Sequence, residues 1–331
     1  FQGSPDTYTV DYSTAGQSLS IVYSDATKGW IPISDDAVTD APVAPPTQKA
    51  IFGYGYTGSV SSLTNLVSSS GVIAADVTGV GTPRRMLAAA TYGGDKAIFG
   101  FGGIVSSKVA MTNLVSNSGV VAADVTGVGT ARRGLGAASY GSDKVIFGYG
   151  NTGSSSSLSN LVSSSGVVSV DVTGVGTARH DLAATGYGTD KAIFGYGETS
   201  GVVSMTNLVS SLGVVAADVT GVGTARTALA ATAYGGDKAL FGYGASYVSM
   251  TNLVSNVGVV STDTTGVGTA RASLAAVGYG GDKAIFAYGY NASGYQSMSN
   301  LVSNSGVVAT DVSGVGTDRS VLAAAGYSQS A

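Results

Sequence analysis

The sequence has no cysteine and very little of several other residues on which enzyme and metal chemistry depend. Its 331 residues include one histidine, His180, one glutamate, Glu198, and one tryptophan, Trp30. Without cysteine the chain has no disulfides and no thiol chemistry. With one histidine it cannot supply a multi-histidine metal site, or a histidine-based triad in each of several repeats. We therefore expect no cofactor, no metal site and no enzymatic activity.

Charged residues and long apolar runs are also scarce. Only 11% of the residues are charged, and the net charge is −4. Residues 1–46 contain six Asp and one Lys, whereas in residues 47–331 the basic residues alternate with Asp along the sequence. Nucleic-acid binding normally requires a basic stripe, and a membrane helix requires about 18 consecutive apolar residues. Because neither is present, we expect a soluble protein with no nucleic-acid partner and no membrane insertion.

Glycine, by contrast, is abundant. Fifty glycines, with many Ser, Thr, Val and Ala residues, favour short strands joined by tight turns. Residues 1–4 have the appearance of an expression-tag remnant, and residues 5–40 are predicted to form a small β segment with a hairpin turn over Asp25–Gly29. Residues 41–46 are a Pro-rich linker. The domain that follows, residues 47–331, is predicted to be all-β.

Residues 47–331 repeat one unit of 45–48 residues. Each copy has an Asn within a (T/S)NLV segment and an Arg that is followed eight residues later by Tyr and preceded eight residues earlier by Asp. Repeats of this length indicate a solenoid, a propeller or an array. The asparagines are Asn65, Asn113, Asn160, Asn207, Asn252 and Asn300. The arginines, called the ring arginines below, are Arg84, Arg132, Arg179, Arg226, Arg271 and Arg319.

Each unit contains four candidate strands. In one copy they are LAATAY, KALFGYG, SMTNLVS and GVVAADV, called the inner, middle, outer and edge strands. Four antiparallel strands in this length make one blade of a β-propeller. The repeat region begins at a middle strand and ends after an inner strand, whereas a linear solenoid would have polar caps. We therefore predict a six-bladed propeller, closed by pairing of Val321–Tyr327 with Lys49–Gly55.

The order of arginine, small apolar strand, glycine turn and hydrophobic strand ending in glycines resembles the kelch repeat over residues 47–331. Kelch units usually end the middle strand with Gly-Gly and carry a tryptophan later, whereas these repeats have GYG and no tryptophan. The resemblance implies a kelch-like propeller. Near-identical repeats behind an N-terminal β segment and a linker also resemble phage virion appendages and tail fibres, which implies attachment to a host surface.

Antiparallel strand order places the connections between middle and outer strands on the same side as those between edge and inner strands. The copies differ most in the connections between middle and outer strands, as expected of a binding face. The alternative is that these connections vary because nothing constrains them. The candidate ligand-binding residues are Tyr56, Asn151, Glu198, Tyr247, Tyr290, Asn291 and Tyr295.

The ring arginines have two interpretations. Near the mouth of the axial channel they could bind an anion. Alternatively, each anchors the connection in which it lies, by pairing with the Asp eight positions earlier, and the matching number of six Asp favours this structural role. His180 replaces a residue that varies between copies, so we expect it to be exposed. The G-x-G-x-x-G strings at 53–58 and 148–153 have no helix pattern after them, which excludes a dinucleotide site.

We expect a non-enzymatic binding domain of a phage-like virion or tail appendage, in a virion or extracellular setting. Its partners would be a cell-surface glycan or protein on the variable face, and other virion proteins on the N-terminal segment; a homo-oligomer is compatible with the sequence. The alternative is a purely structural, assembly or decoration module of a particle. A carboxylate-based polysaccharide hydrolase is the third possibility.

Overall fold

The computed structural model describes residues 20–25, 29–34 and 48–328 of the chain. The chain divides into two compact units, residues 1–45 and residues 46–331. The expected tag remnant and the whole of the expected linker lie outside the described residues.

The first unit contains a two-stranded antiparallel hairpin. Strand β1 (Ser20–Asp25) pairs with β2 (Gly29–Ser34). Asp25 lies opposite Gly29, so the connection between the strands begins and ends where the sequence predicts a turn.

The described part of the second unit is built from strands and turns. It contains no helix, and so no helix long and apolar enough to cross a membrane. The strands are short because glycine, Asn and Asp turns interrupt the apolar runs every few residues. They are β3 (Lys49–Tyr56), β4 (Val60–Val67), β5 (Ala88–Tyr92), β6 (Lys96–Gly100), β7 (Thr112–Val115), β8 (Gly136–Tyr140), β9 (Lys144–Gly148), β10 (Ser159–Val162), β11 (Ala183–Tyr187), β12 (Lys191–Gly195), β13 (Thr206–Val209), β14 (Ala230–Tyr234), β15 (Lys238–Gly244), β16 (Val248–Val254), β17 (Ala275–Tyr279), β18 (Lys283–Asn291), β19 (Gly294–Val302) and β20 (Ala323–Tyr327).

These strands form six antiparallel sheets, each with the order inner, middle, outer. The middle strands are buried almost throughout, because sheets cover both of their faces. The result is the predicted all-β, propeller-like fold. Sheet 1 is β20-β3-β4, sheet 2 is β5-β6-β7, sheet 3 is β8-β9-β10, sheet 4 is β11-β12-β13, sheet 5 is β14-β15-β16 and sheet 6 is β17-β18-β19.

The fourth strand of the predicted blade is reduced to two isolated bridges, which corrects the expectation of four-stranded blades. In sheet 1, Val67 pairs with Ile73 and Thr64 pairs with Val77. Between the two bridges, the edge segment is therefore one residue longer than the outer strand. This bulge interrupts the ladder of backbone hydrogen bonds between them. The side chain of Asn65 replaces part of the lost backbone pairing, because its Nδ2 donates to the carbonyl of Ala74 at 3.0 Å.

The first and last strands of the second unit pair as predicted. In sheet 1, β20 lies antiparallel to β3, with Ala323 opposite Gly53 and Tyr327 opposite Lys49. The C-terminal strand is thus the inner strand of the sheet in which the repeat region begins.

A cycle of backbone hydrogen bonds connects the chain just before each inner strand to the corresponding position in the neighbouring repeat. Each N–H donates to the carbonyl of the preceding copy at 2.7–2.9 Å, and the cycle returns to its starting residue. The donors have φ between 49° and 61° in every copy. Positive φ values of this size are unfavourable for residues other than glycine, and the hydrogen bonds of the cycle offset that cost. The cycle consists of Met86, Gly134, Asp181, Ala228, Ser273 and Val321.

The hydrophobic core is divided into six clusters, each lying between two adjacent sheets. At the junction of sheets 1 and 2, Tyr54 contacts Phe99 with ring centroids 5.2 Å apart. Equivalent aromatic pairs at the other junctions are 5.0–5.3 Å apart. Burying one such side chain contributes about 1.5–3 kcal/mol. Each cluster thus combines apolar residues of two sheets, so a sheet buries its faces against its neighbours.

Candidate functional site

The ring arginines are buried, with at most 2% of each residue exposed. In sheet 3, Arg132 Nη2 donates to Asn160 Oδ1 at 2.6 Å, and Arg132 Nε donates to the carbonyl of Tyr149 at 2.8 Å. Its guanidinium lies 4.3 Å from the ring centroid of Phe101, a residue of sheet 2. Each ring arginine in this way bonds to its own sheet and stacks on the sheet before it.

The same network holds one aspartate beside each ring arginine. Asp171 Oδ1 accepts from Asn160 Nδ2 at 3.0 Å, and Asp171 Oδ2 accepts from Thr130 Oγ1 at 2.6 Å. Arg132 Nη1 lies 3.7 Å from Asp171 Oδ1. Because Thr130 belongs to the connection that enters sheet 3, these bonds fix that connection to the edge segment of the same sheet.

The aspartate that lies beside each ring arginine is therefore not the one eight residues earlier. Arg132 pairs with Asp171, and Arg319 pairs with Asp76 at the other end of the repeat region. The reason is topological: the arginine starts a sheet, whereas the aspartate eight residues before it ends the previous sheet. Protein acceptors take most of the guanidinium bonds, which supports the structural interpretation over anion binding.

Arg84 is the exception within this set. Its buried Nε has no hydrogen-bond partner among the residues that the structure describes, whereas the Nε of each other ring arginine donates to a backbone carbonyl. Nothing in the structure explains the difference.

The network aspartates make the fold sensitive to acid. Burial works to raise the pKa of Asp171, but hydrogen bonds from Thr130 and Asn160 and the charge of Arg132 outweigh it and hold the pKa below 3.8. A carboxyl with a lowered folded-state pKa stabilises the fold above its unfolded pKa, and that contribution is lost as pH falls through the folded value. We expect the melting temperature to be nearly constant from about pH 7 to 5 and to fall steeply below about pH 4.

The measurement is thermal unfolding by circular dichroism across this pH range. Asp171→Asn should lower the melting temperature at neutral pH and leave a smaller further loss on acidification. A melting temperature that stays constant down to about pH 2.5 would contradict the assigned role of these carboxylates.

On one side of the second unit, the residue after each ring arginine pairs with the residue that begins the connection between a middle strand and its outer strand. This side is called the loop face. Backbone contacts place these two variable positions next to each other, as predicted from antiparallel strand order. The pairs are Arg85 with Gly103, Arg133 with Asn151, His180 with Glu198, Thr227 with Ala245, Ala272 with Tyr290, and Ser320 with Tyr56.

In sheets 1, 5 and 6 the variable connections are strand hairpins and not loops, which differs from the expectation. In sheet 6, β18 and β19 extend beyond the core, with Tyr290 opposite Tyr295 and Asn291 opposite Gly294. The turn is closed by Asn291, whose Oδ1 accepts from the amide of Ser293 at 2.8 Å. Aromatic residues facing each other across a pair of strands stabilise such an extension.

Four of the predicted site residues form a continuous row, the tyrosine array. Ring centroids are 6.3 Å apart for Tyr247 and Tyr290, 5.2 Å for Tyr290 and Tyr295, and 6.0 Å for Tyr295 and Tyr56. The guanidinium of Arg85 lies 4.6 Å from the Tyr56 centroid and ends the row. Tyr247 and Tyr290 are 40% and 38% exposed. The array crosses sheets 5, 6, 1 and 2 and presents aromatic surface to solvent.

The other three predicted residues do not join the array. Asn151 is used in its own turn, where its Oδ1 accepts from the amide of Gly153 at 3.0 Å. Asn291 closes the sheet 6 hairpin as described. Glu198 belongs to a polar cluster on sheet 4 with His180 and Asp181. The array and this cluster occupy different parts of the loop face.

Sequence reasoning missed Arg85 and Asp181, and it placed His180 wrongly. The His180 side chain is only 21% exposed, because it packs beside Ser155 of the neighbouring sheet. The signal that could have found these residues is in the repeat: the two positions after each ring arginine vary between copies as freely as the loop-face connections do.

A scan against protein-family models found no match for this chain. A search of curated proteins also found none. The kelch resemblance is therefore supported only at the level of a propeller-like all-β repeat fold.

Proposed function

We propose that residues 47–331 form a non-enzymatic recognition domain that binds a cell-surface glycan through the tyrosine array. The observation that carries the proposal is the row of ring contacts from Tyr247 to Arg85, which spans four adjacent sheets. Constant residues build the sheets, whereas the aromatic row occurs only where the copies differ.

The chemistry of the array suits a sugar. Tyrosine rings offer flat apolar faces on which sugar rings stack, and their hydroxyl groups bond to sugar hydroxyls. Arg85 adds donors at one end of the row and is held by its contact with Tyr56. A row of four rings could contact several consecutive sugar units, which favours an oligosaccharide over a monosaccharide.

A glycan array probed with the purified chain tests the proposal. Tyr290→Ala should weaken binding about five- to tenfold, since Tyr290 contacts both Tyr247 and Tyr295 and loss of one stacked aromatic costs about 1–1.5 kcal/mol. The variant should fold, because sheet 5 carries Ala245 at the equivalent position.

The matched control is Leu212→Ser. Leu212 is 79% exposed, and Ser165 and Ser305 occupy its position in other repeats. It lies in the turn between an outer strand and its edge segment, at the opposite end of the outer strand from the loop face. Binding should therefore not change. No binding to any glycan, together with host-cell binding that Tyr290→Ala abolishes, would indicate a protein receptor. No binding to glycans or cells would favour a structural or decoration module.

The proposed setting is a phage-like virion or tail appendage, exposed outside the cell. This part of the proposal is supported only by the sequence resemblance to such appendages. Immunogold labelling of particles with an antibody against residues 47–331 tests it, and label confined to host cells would contradict it.

A further inference from the structure

One of the six repeats differs from the others at three positions that meet in space. His180 and Asp181 follow the ring arginine Arg179, and Glu198 begins the variable connection of sheet 4. They include the only histidine and the only glutamate of the chain. In the other repeats, the same three positions hold Arg85, Met86 and Gly103; Arg133, Gly134 and Asn151; Thr227, Ala228 and Ala245; Ala272, Ser273 and Tyr290; and Ser320, Val321 and Tyr56.

The ligating atoms of His180, Asp181 and Glu198 all lie within 4.8 Å of one another. His180 Nε2 is 3.9 Å from Asp181 Oδ2. The other ring nitrogen, Nδ1, lies 3.1 Å from the hydroxyl of Ser155. This is the arrangement of a metal-ligating histidine, in which a hydrogen bond at one nitrogen orients the ring and leaves the other nitrogen for the ion.

The backbone holds the three residues in place. His180 and Glu198 exchange two backbone hydrogen bonds, at 3.0 and 2.8 Å. Asp181 belongs to the backbone cycle, donating to Gly134 at 2.7 Å and accepting from Ala228 at 2.9 Å. The cluster is therefore fixed at the point where sheet 4 meets its neighbours.

The electrostatics of the cluster favour binding of a cation. Burial raises the pKa of the Asp181 carboxyl above its ordinary value, and the nearby charge of Glu198 raises it further, while His180 and Arg133 lower it. Two carboxylates thus share a half-buried space. A divalent ion would relieve their repulsion and repay part of the cost of burying them.

We propose that His180, Asp181 and Glu198 form a binding site for one divalent transition-metal ion, with Zn²⁺ the preferred ion among those commonly available. One imidazole and two carboxylates are ligands that Zn²⁺ accepts at about 2.0–2.2 Å. A single histidine excludes a multi-histidine site, which is why no metal is expected from the sequence, but it does not exclude a site that mixes histidine with carboxylates. Three protein ligands leave a fourth position open to solvent or to a ligand on the loop face. The site is independent of the tyrosine array.

Calorimetric titration of the purified chain with Zn²⁺ tests the proposal. The absorption spectrum of bound Co²⁺ reports the coordination geometry of the site. We expect one ion per chain. His180→Thr, Asp181→Ala and Glu198→Ala each install the residue found in sheet 5, so each variant should fold, and each should weaken Zn²⁺ binding about tenfold or more. Arg133→Thr should strengthen binding, because it removes the competing positive charge.

The matched control is Asp318→Ala. It removes an exposed carboxylate, and four other repeats have Ala at this position, so Zn²⁺ binding should be unchanged. Failure of the unaltered chain to bind Zn²⁺ would overturn the proposal. Binding that none of the three ligand variants weakens would also overturn it, because the ion would then be held elsewhere.

Discussion

A chain that ends at Ser320 is expected not to fold into a stable second unit. The truncation removes β20, which is the inner strand of sheet 1, and the residues just before it. Among the residues lost, Leu322, Ala323 and Tyr327 are only 2–6% exposed. The truncation also breaks the backbone cycle at Val321 and leaves β3 without its inner partner strand from Lys49 to Gly53. The combined loss is comparable with the entire stability of a typical domain, about 5–15 kcal/mol. Circular dichroism and size-exclusion chromatography would report the outcome.

The control is a chain that ends at Ser328, which keeps β20 and should melt as the full chain does. Adding a peptide of residues 318–328 to the chain that ends at Ser320 should restore the folded signal, since the peptide supplies the missing strand. Cooperative melting of the chain that ends at Ser320, within a few degrees of the full chain, would contradict the role assigned to β20.

Arg132→Ala is expected to destabilise the second unit by about 3–5 kcal/mol, because it leaves a half-buried Asp171 and a buried Asn160 without their partner. It also removes the guanidinium that stacks on Phe101 of the preceding sheet. Arg132→Lys should recover only part of the loss, because an ammonium cannot reproduce the several fixed bonds of the guanidinium. Urea unfolding of the purified variants measures both losses.

The adjacent arginine provides the control. Arg133→Thr removes the same kind of side chain one residue later, at a position where another repeat has Thr227, and should cost less than about 1 kcal/mol. Equal losses for Arg132→Ala and Arg133→Thr would show that the ring arginines do not hold adjacent sheets together.

The periodicity of the sequence was sufficient to predict most of the fold. The spacing of the asparagines and ring arginines gave the number of sheets, and the incomplete first and last repeats gave the pairing of β20 with β3. Both follow from physics that acts at the scale of a whole repeat: each sheet must bury its faces against a neighbour, and an unpaired strand edge is unfavourable.

Features that depend on one residue of register could not be predicted in the same way. The bulge that breaks the edge strand depends on a single extra residue between Ile73 and Val77, and a pattern of apolar residues does not reveal it. The pairing of Arg132 with Asp171, and not with Asp124, depends on which sheet each residue enters. Distance along the chain misled in that case, because the aspartate nearest in sequence belongs to the sheet before.

For the candidate sites too, the sequence pattern identifies some residues, whereas their arrangement in space is known only from the structure. Variation between copies singled out Tyr56, Tyr247, Tyr290 and Tyr295, but only the structure shows that strands extend past the core in three sheets and bring these rings into one row. His180 and Glu198 are 18 positions apart, and only the bridge between their backbones places them together. Within each repeat, the constant residues thus join the sheets, and the variable residues lie together on the loop face.

Hydrogen exchange at the backbone cycle tests the central claim, that six repeats join end to end through β20 and β3 and so hold the loop face together. Met86 and Val321 donate at the two bonds that involve the C-terminal segment, and Asp181 and Ala228 donate at equivalent bonds within the continuous chain. If the repeats join as described, the amides of Met86 and Val321 exchange as slowly as those of Asp181 and Ala228. Fast exchange at Met86 and Val321, with slow exchange at Asp181 and Ala228, would show an open chain of sheets and contradict the account.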